Sequence, residues 1–128
     1  MIVGIGIDMV ELSRIRQAIL RGDGLARRIL TEKEFAIFSR YSEKNKVEFL
    51  GGRFAAKEAV SKALETGIGS AISFQQIEIL IHESGAPVMN IFSDMLDMQN
   101  VHIHLSISHT SVSAIAQVVL EKKDAGKT

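Results

Sequence analysis

Neither cysteine nor tryptophan occurs among the 128 residues, and there is a single proline and a single tyrosine. Without cysteine the chain has no disulfide framework, thiolate zinc site, thiol nucleophile or iron–sulfur ligand. No apolar run approaches the ~20 residues of a membrane span, and no basic signal-like segment opens the sequence. With one Tyr and no Trp, the chain also lacks the aromatic platform on which single-stranded nucleic acid stacks. No G-x-S-x-G elbow, Walker A run or G-x-G-x-x-G fingerprint is present. What remains is 46% hydrophobic and 23% charged, the composition of a soluble globular protein expected in the cytoplasm. The length predicts one domain over 1–128, able to bury roughly two-thirds of its unfolded surface without staples.

Fifteen Lys/Arg balance fifteen Asp/Glu, but unevenly along the chain. Residues 12–62 hold twelve of the cations and six of the acids. Arg14, Arg16, Arg21, Arg27 and Arg28 fall within fifteen residues whose only acid is Asp23. Such a lobe is either a solvated helical face or a surface that meets an anionic partner.

Residues 2–12 alternate as a strand, with Val3, Ile5, Ile7 and Met9 on one face and Gly4, Gly6 and Asp8 on the other. Ser13 is placed to cap a helix over 14–21 that Gly22 and Gly24 stop, and a short helical turn follows over 25–30. Thr31 and Glu34 form a capping box before Phe35 and Phe38. The longest helix is expected from Ser42 to Glu65, with Gly67 as its stop. Within it Gly52, Ala55, Ala56, Ala59 and Ala63 make a stripe of small residues fit for close backbone approach, unless Gly51-Gly52 breaks the helix. Strands over 74–82 and 88–92 flank a turn at Ser84–Pro87. A short helix over 94–98, strands over 101–109 and 114–120, and a loose end over 124–128 complete the expectation. The class is α+β, an antiparallel sheet packed on a long central helix.

Asp8 is out of place in an apolar strand, since a carboxylate there needs a cation or strong donors. Glu58 and Lys62 stand four residues apart at the edge of the alanine stripe. They read either as a surface ion pair or as partners of whatever the stripe covers. If the stripe packs on the Gly4/Gly6/Asp8 face, Asp8 and Glu58 become two hard oxygen ligands suited to Mg²⁺ with phosphate oxygens. Lys62 and Arg53 are then at hand for phosphate charge, and Lys57 adds a cation on a neighbouring face. His109 closes a strand among Ser106, Ser108, Thr110 and Ser111, a setting for an anion. Gly67-Ile68-Gly69-Ser70 offers backbone amides to phosphate. His102 and His104 share a strand face, where zinc would need a third ligand that the sequence does not supply.

Three separated segments together resemble the holo-acyl-carrier-protein synthases, small 4'-phosphopantetheinyl transferases of fatty-acid synthesis. They are Gly4–Glu11 with Arg14-Ile15; Arg53–Ala59 with Lys62-Ala63 and Thr66–Gly69; and Ser106–His109. The resemblance implies the fold of that family and transfer of phosphopantetheine from coenzyme A to a serine of acyl carrier protein, releasing adenosine 3',5'-bisphosphate. It implies a homotrimer with active sites between subunits. By position Asp8 and Glu58 correspond to its Mg²⁺ ligands, Lys62 to its diphosphate-binding lysine, Arg53, Ser108 and His109 to coenzyme A contacts, and Arg14 and Arg21 to carrier-protein docking residues. Glu58 is the candidate base. One departure stands out: Glu65 occupies a place where the family usually has Gly. A metal-dependent phosphohydrolase using the same site, and a nucleic-acid module using the arginine lobe, are the competing readings; the missing aromatic platform weakens the second.

Overall fold

The computed structural model describes residues 1–124; the loose end expected over 124–128 lies, beyond Asp124, outside the described residues. In chain order the elements are β1 (Ile2–Glu11), α1 (Leu12–Leu20), α2 (Gly24–Ile29), α3 (Glu32–Ser39), α4 (Glu43–Ala63), a 3₁₀ turn (Phe74–Gln76), β2 (Ile77–Ile81), β3 (Pro87–Ile91), β4 (Val101–His109) and β5 (Ser113–Lys122). The antiparallel sheet runs β1-β5-β4, while β2 and β3 form their own two-stranded hairpin. This is the α+β architecture expected, built around α4.

Close approach of α4 to β1 organises the molecule. A Cβ added to Gly6 would lie 1.8 Å from the Ala59 carbonyl oxygen, and one on Gly4 would lie 2.3 Å from that of Ala63. Only bare glycines let the helix backbone rest on the strand. The small-residue stripe is the matching surface, with Ala55, Ala56 and Ala59 fully buried. Gly51 and Gly52 do not break the helix. They admit Leu12 and Ile107, whose side chains would crowd any Cβ there. The opposite face of β1 is left uncovered: Val3, Ile5, Ile7 and Met9 are 48%, 60%, 59% and 65% exposed.

Several local expectations shift. Ser13 does not cap α1; the helix opens at Leu12 with no side-chain cap, because Leu12 is buried and its amide bonds the Val112 carbonyl. The Thr31/Glu34 capping box forms in full. Residues 94–98 make turns rather than a helix. There Ser93 Oγ accepts from the Met95 amide and Asp97 Oδ1 from the Gln99 amide, local bonds that compete with a helical ladder too short to nucleate.

The end of α4 departs most informatively. Thr66 N–H bonds the Ser61 carbonyl and Glu65 N–H bonds that of Lys62, the paired bonds of a Schellman motif. The left-handed residue of that motif is Glu65, at φ 63°, with Gly67 left-handed after it at φ 66°. A side chain there costs roughly 1 kcal/mol that glycine avoids. Glu65→Gly is therefore expected to raise the melting temperature by about 4 °C, and a scanning-calorimetry melt that fell instead would refute this account of the helix end.

Candidate active site

The helix–strand contact determines which candidate residues meet. Asp8 shares the inward face of β1 with Gly4 and Gly6, and Lys62 leaves α4 beside the Ala63 carbonyl that covers Gly4. Lys62 Nζ thus reaches the strand, donating to Asp8 Oδ1 at 2.8 Å and to the Ile7 carbonyl oxygen at 3.1 Å. Glu58, one turn earlier, lines a cleft of about 360 Å³ with Asp8, Glu11, Arg14 and Phe54. Burial and then the Asp8 charge push the Glu58 carboxyl above the usual carboxylate range, with Lys62 opposing them. Two carboxylates that repel across one cleft are a donor set that a hard divalent cation would relieve. Glu11 also lines the cleft, but among the described residues no group of three Asp, Glu or His is gathered closely enough to hold a metal ion, so substrate or solvent oxygens would complete the coordination.

This cleft continues along α1. Val10, Arg14 and Phe54 also border a groove of about 520 Å³ that extends to Arg21, Leu25 and Arg28. Arg14 and Arg21 lie on one side of α1, as their spacing predicts. Arg28 of α2 joins them in that groove, whereas the Arg27 guanidinium stacks 4.2 Å from the Phe35 ring centroid and Arg16, on another side of α1, faces a different cleft.

That different cleft lies at the far edge of the sheet. His109 ends β4, with Nε2 3.4 Å from Glu48 Oε2, and lines a hollow of about 370 Å³ with Arg53, Tyr41 and Asn45. Arg53 is only 6% exposed, its guanidinium 4.3 Å from the Phe49 ring centroid. Its Nε has no hydrogen-bond partner among the described residues. Burial pushes its pKa below the usual arginine value, and Glu34 opposes this. Beside it Arg16, Lys44, Thr110 and Ser111 extend the basic surface. Neither hollow shares a lining residue with the Asp8/Glu58 cleft, since β5 separates β1 from β4.

Residues 4–119 match the model of the 4'-phosphopantetheinyl transferase superfamily. The chain belongs to this superfamily. It is 49% identical over 122 residues to a holo-[acyl-carrier-protein] synthase of Geobacillus sp. (strain WCH70), covering 95% of this chain and 98% of that one. It is 52% identical over 122 residues to the Bacillus velezensis protein of that name, with 95% and 98% covered. The crystal structure of the Bacillus anthracis synthase in complex with CoA (3',5'-ADP) superposes with a TM-score of 0.84 at 45% identity, covering 96% of this chain and 99% of that one.

In this superfamily member two sequence-derived expectations, for Lys57 and for the Gly67–Ser70 loop, change. Lys57 is not a free cation beside Arg53: it is fully buried and donates to Glu34 Oε1 at 2.6 Å and to the carbonyls of Ile29 and Phe74. The Gly67–Ser70 loop does not present its glycine amides, since Gly67 N–H bonds Ser61 and Gly69 N–H bonds Ile72. Ser108 alternates with His109 along β4 and lies on the exposed outer sheet face, away from Arg53. His102 and His104 stand on that outer face too, His104 Nε2 2.9 Å from Glu121 Oε1. The hydrogen bond from His104 pulls the Glu121 carboxyl below its usual range. Two residues bordering the basic surface, Arg16 and Lys44, were not singled out from the sequence; the only signal was their membership of the cationic stretch.

Proposed function

We propose that the chain transfers the 4'-phosphopantetheine group of coenzyme A to a serine of apo acyl carrier protein, as one transferase domain over 1–128. The observation that carries this reading is the meeting of Asp8, Glu58 and Lys62 in a cleft that continues into the Arg14/Arg21 groove. The relatives' names and the coenzyme A bound to the Bacillus anthracis protein support it. The nucleophile belongs to the partner, which accounts for a chain without a catalytic thiol or serine elbow. Asp8 and Glu58 would hold Mg²⁺, which supplies charge neutralisation to the diphosphate. Glu58, beside the proposed cation, is the candidate to accept the serine proton. Lys62 stabilises negative charge on the departing phosphate, and Arg53 and His109 contact coenzyme A. The physiological setting is the cytoplasm and fatty-acid biosynthesis; no described helix is long and apolar enough to cross a membrane. Incubation with coenzyme A, Mg²⁺ and apo carrier protein tests this directly: the carrier gains the mass of one phosphopantetheine group. Phosphopantetheine released to water, with an unmodified carrier, would make the chain a hydrolase instead.

The active unit is a homotrimer whose sites lie between subunits. Two observations support this: the uncovered Val3/Ile5/Ile7/Met9 face, and the placement of the acidic and basic hollows at opposite sheet edges of one chain. A head-to-tail contact would join the acidic half-site of one copy to the basic half-site of the next. Asp8→Ala and Arg53→Ala, each inactive alone, are then expected to regain about a quarter of wild-type activity when co-expressed, the share of interfaces with both halves intact. No recovery in confirmed mixed oligomers would place the site within one chain.

Carrier docking falls to Arg14 and Arg21. Arg14→Glu with Arg21→Glu is expected to slow carrier association about tenfold or more at low salt and leave coenzyme A affinity unchanged. The wild type should approach the variant as salt rises. Equal carrier affinity of both proteins at low ionic strength would remove the docking role.

A further inference from the structure

The ammonium of Lys62 and the proposed cation need the same carboxylate. Lys62 Nζ sits 2.8 Å from Asp8 Oδ1 and 3.1 Å from the Ile7 carbonyl oxygen, so β1 supplies both of its acceptors. The pairing is fixed by the fold, because the Gly4 and Gly6 contacts that seat α4 on β1 leave Lys62 within reach of Asp8. The two partners differ sharply in freedom. Asp8 is 15% exposed, while the Lys62 side chain is 51% exposed. A dication taking either Asp8 oxygen would stand a few ångströms from the ammonium, close enough for the two cations to repel. Asp8 cannot leave the strand, whereas Lys62 can swing into solvent or onto an anion.

We infer that Lys62 and a divalent cation compete for Asp8, so that cation binding releases Lys62 for the anionic diphosphate of the substrate. The inference rests on the Asp8/Glu58 reading of the cation site. It makes Lys62 a positioning residue as well as a charge donor: the empty acidic cleft is held by an internal cation, and the lysine becomes available only when the metal has taken its place. Cation and diphosphate binding are then coupled through one side chain, and the coupling is reciprocal.

The test uses the full chain with Mn²⁺ as the sole ligand, its affinity read by electron paramagnetic resonance, in wild type, Lys62→Met, Lys62→Arg, Arg14→Met and Asp8→Asn. Lys62→Met is expected to tighten Mn²⁺ binding about tenfold, within the usual span of site coupling. Lys62→Arg, which keeps the charge and a donor, should stay near wild type. Arg14→Met removes the same charge from the same cleft without a bond to Asp8 and should change affinity by less than about twofold. In parallel the Lys62 side-chain ¹⁵N resonance of the wild type should shift on addition of Mg²⁺ alone. Equal Mn²⁺ affinities for Lys62→Met and wild type, or equal gains for Lys62→Met and Arg14→Met, would overturn the competition. Wild-type affinity in Asp8→Asn, or no Mn²⁺ binding by the wild type, would overturn the cation-site reading itself and the inference with it. Circular dichroism melts confirm that each variant is folded.

Discussion

Asp8→Ala and Glu58→Ala should each lower phosphopantetheine transfer by about 10³-fold or more while the fold persists, a loss equal to several kcal/mol of transition-state stabilisation. Each removes one of the two carboxylates proposed as ligands, and no group of three Asp, Glu or His among the described residues is gathered to hold a metal in their place. Asp8 is the more demanding case. Its side chain is 15% exposed and paired with Lys62, so truncation removes a proposed ligand and also leaves the lysine only the Ile7 carbonyl on the strand. The ion pair is half in solvent, and its own contribution to stability is small. A thermal melt near wild type is therefore expected alongside the lost activity. Lys62→Ala should bind the cation and fail in rate, because its charge is needed as the diphosphate breaks. Unchanged turnover of Asp8→Ala or Glu58→Ala at limiting Mg²⁺ would reject the metal role.

The acidic half of the site was legible because it rests on backbone contact. A strand face of Gly4, Gly6 and Asp8 can pack only against something equally bare, and the sole candidate was the alanine stripe of α4. That one match put Asp8 beside Glu58 and Lys62 before any side-chain geometry was known. The basic half was read less completely. Arg53 and His109 were singled out, but nothing in their spacing told which edge of the sheet they would occupy, since strand order is a long-range property. On α4 the usual rule, charges outward, failed outright. The helix packs on β1 and β5 along one side and is met by α2 and α3 on another. It therefore has little of the solvent face from which a polar stripe is read, and Arg53 and Lys57 are both buried.

Glu34 shows why a correct local reading can conceal a tertiary one. As the third residue of a capping box it accepts from the Thr31 amide, as the motif predicts. The same carboxylate also accepts from Lys57 Nζ at 2.6 Å and from the Ile79 amide at 2.8 Å. It thereby ties α3, α4 and β2 at a point of zero exposure. Thr31 Oγ1 in turn donates to the buried Glu78 at 2.6 Å. Burial holds the Lys57 ammonium below the ordinary lysine value, and Glu34 opposes that shift. Lys57→Ala would leave the Glu34 carboxylate buried beside a cavity and take the lysine donor from the Ile29 carbonyl, while the Phe74 carbonyl keeps the Ile77 amide. Breaking such a pair from one side costs about 3–5 kcal/mol, much of the stability of a domain this size. Lys57→Ala is therefore expected to lower the urea midpoint severely or to prevent folding. Combining Lys57→Met with Glu34→Gln removes both charges and keeps side-chain volume, although the single amide oxygen accepts from only one of the Thr31 and Ile79 amides, which Glu34 bonds through different oxygens. The double variant should be more stable than Lys57→Met alone, a coupling of roughly 1–3 kcal/mol in a double-mutant cycle. Additive losses in that cycle would mean that Lys57 stabilises the fold by filling space and bonding the two carbonyls, with Glu34 held by its backbone amides alone.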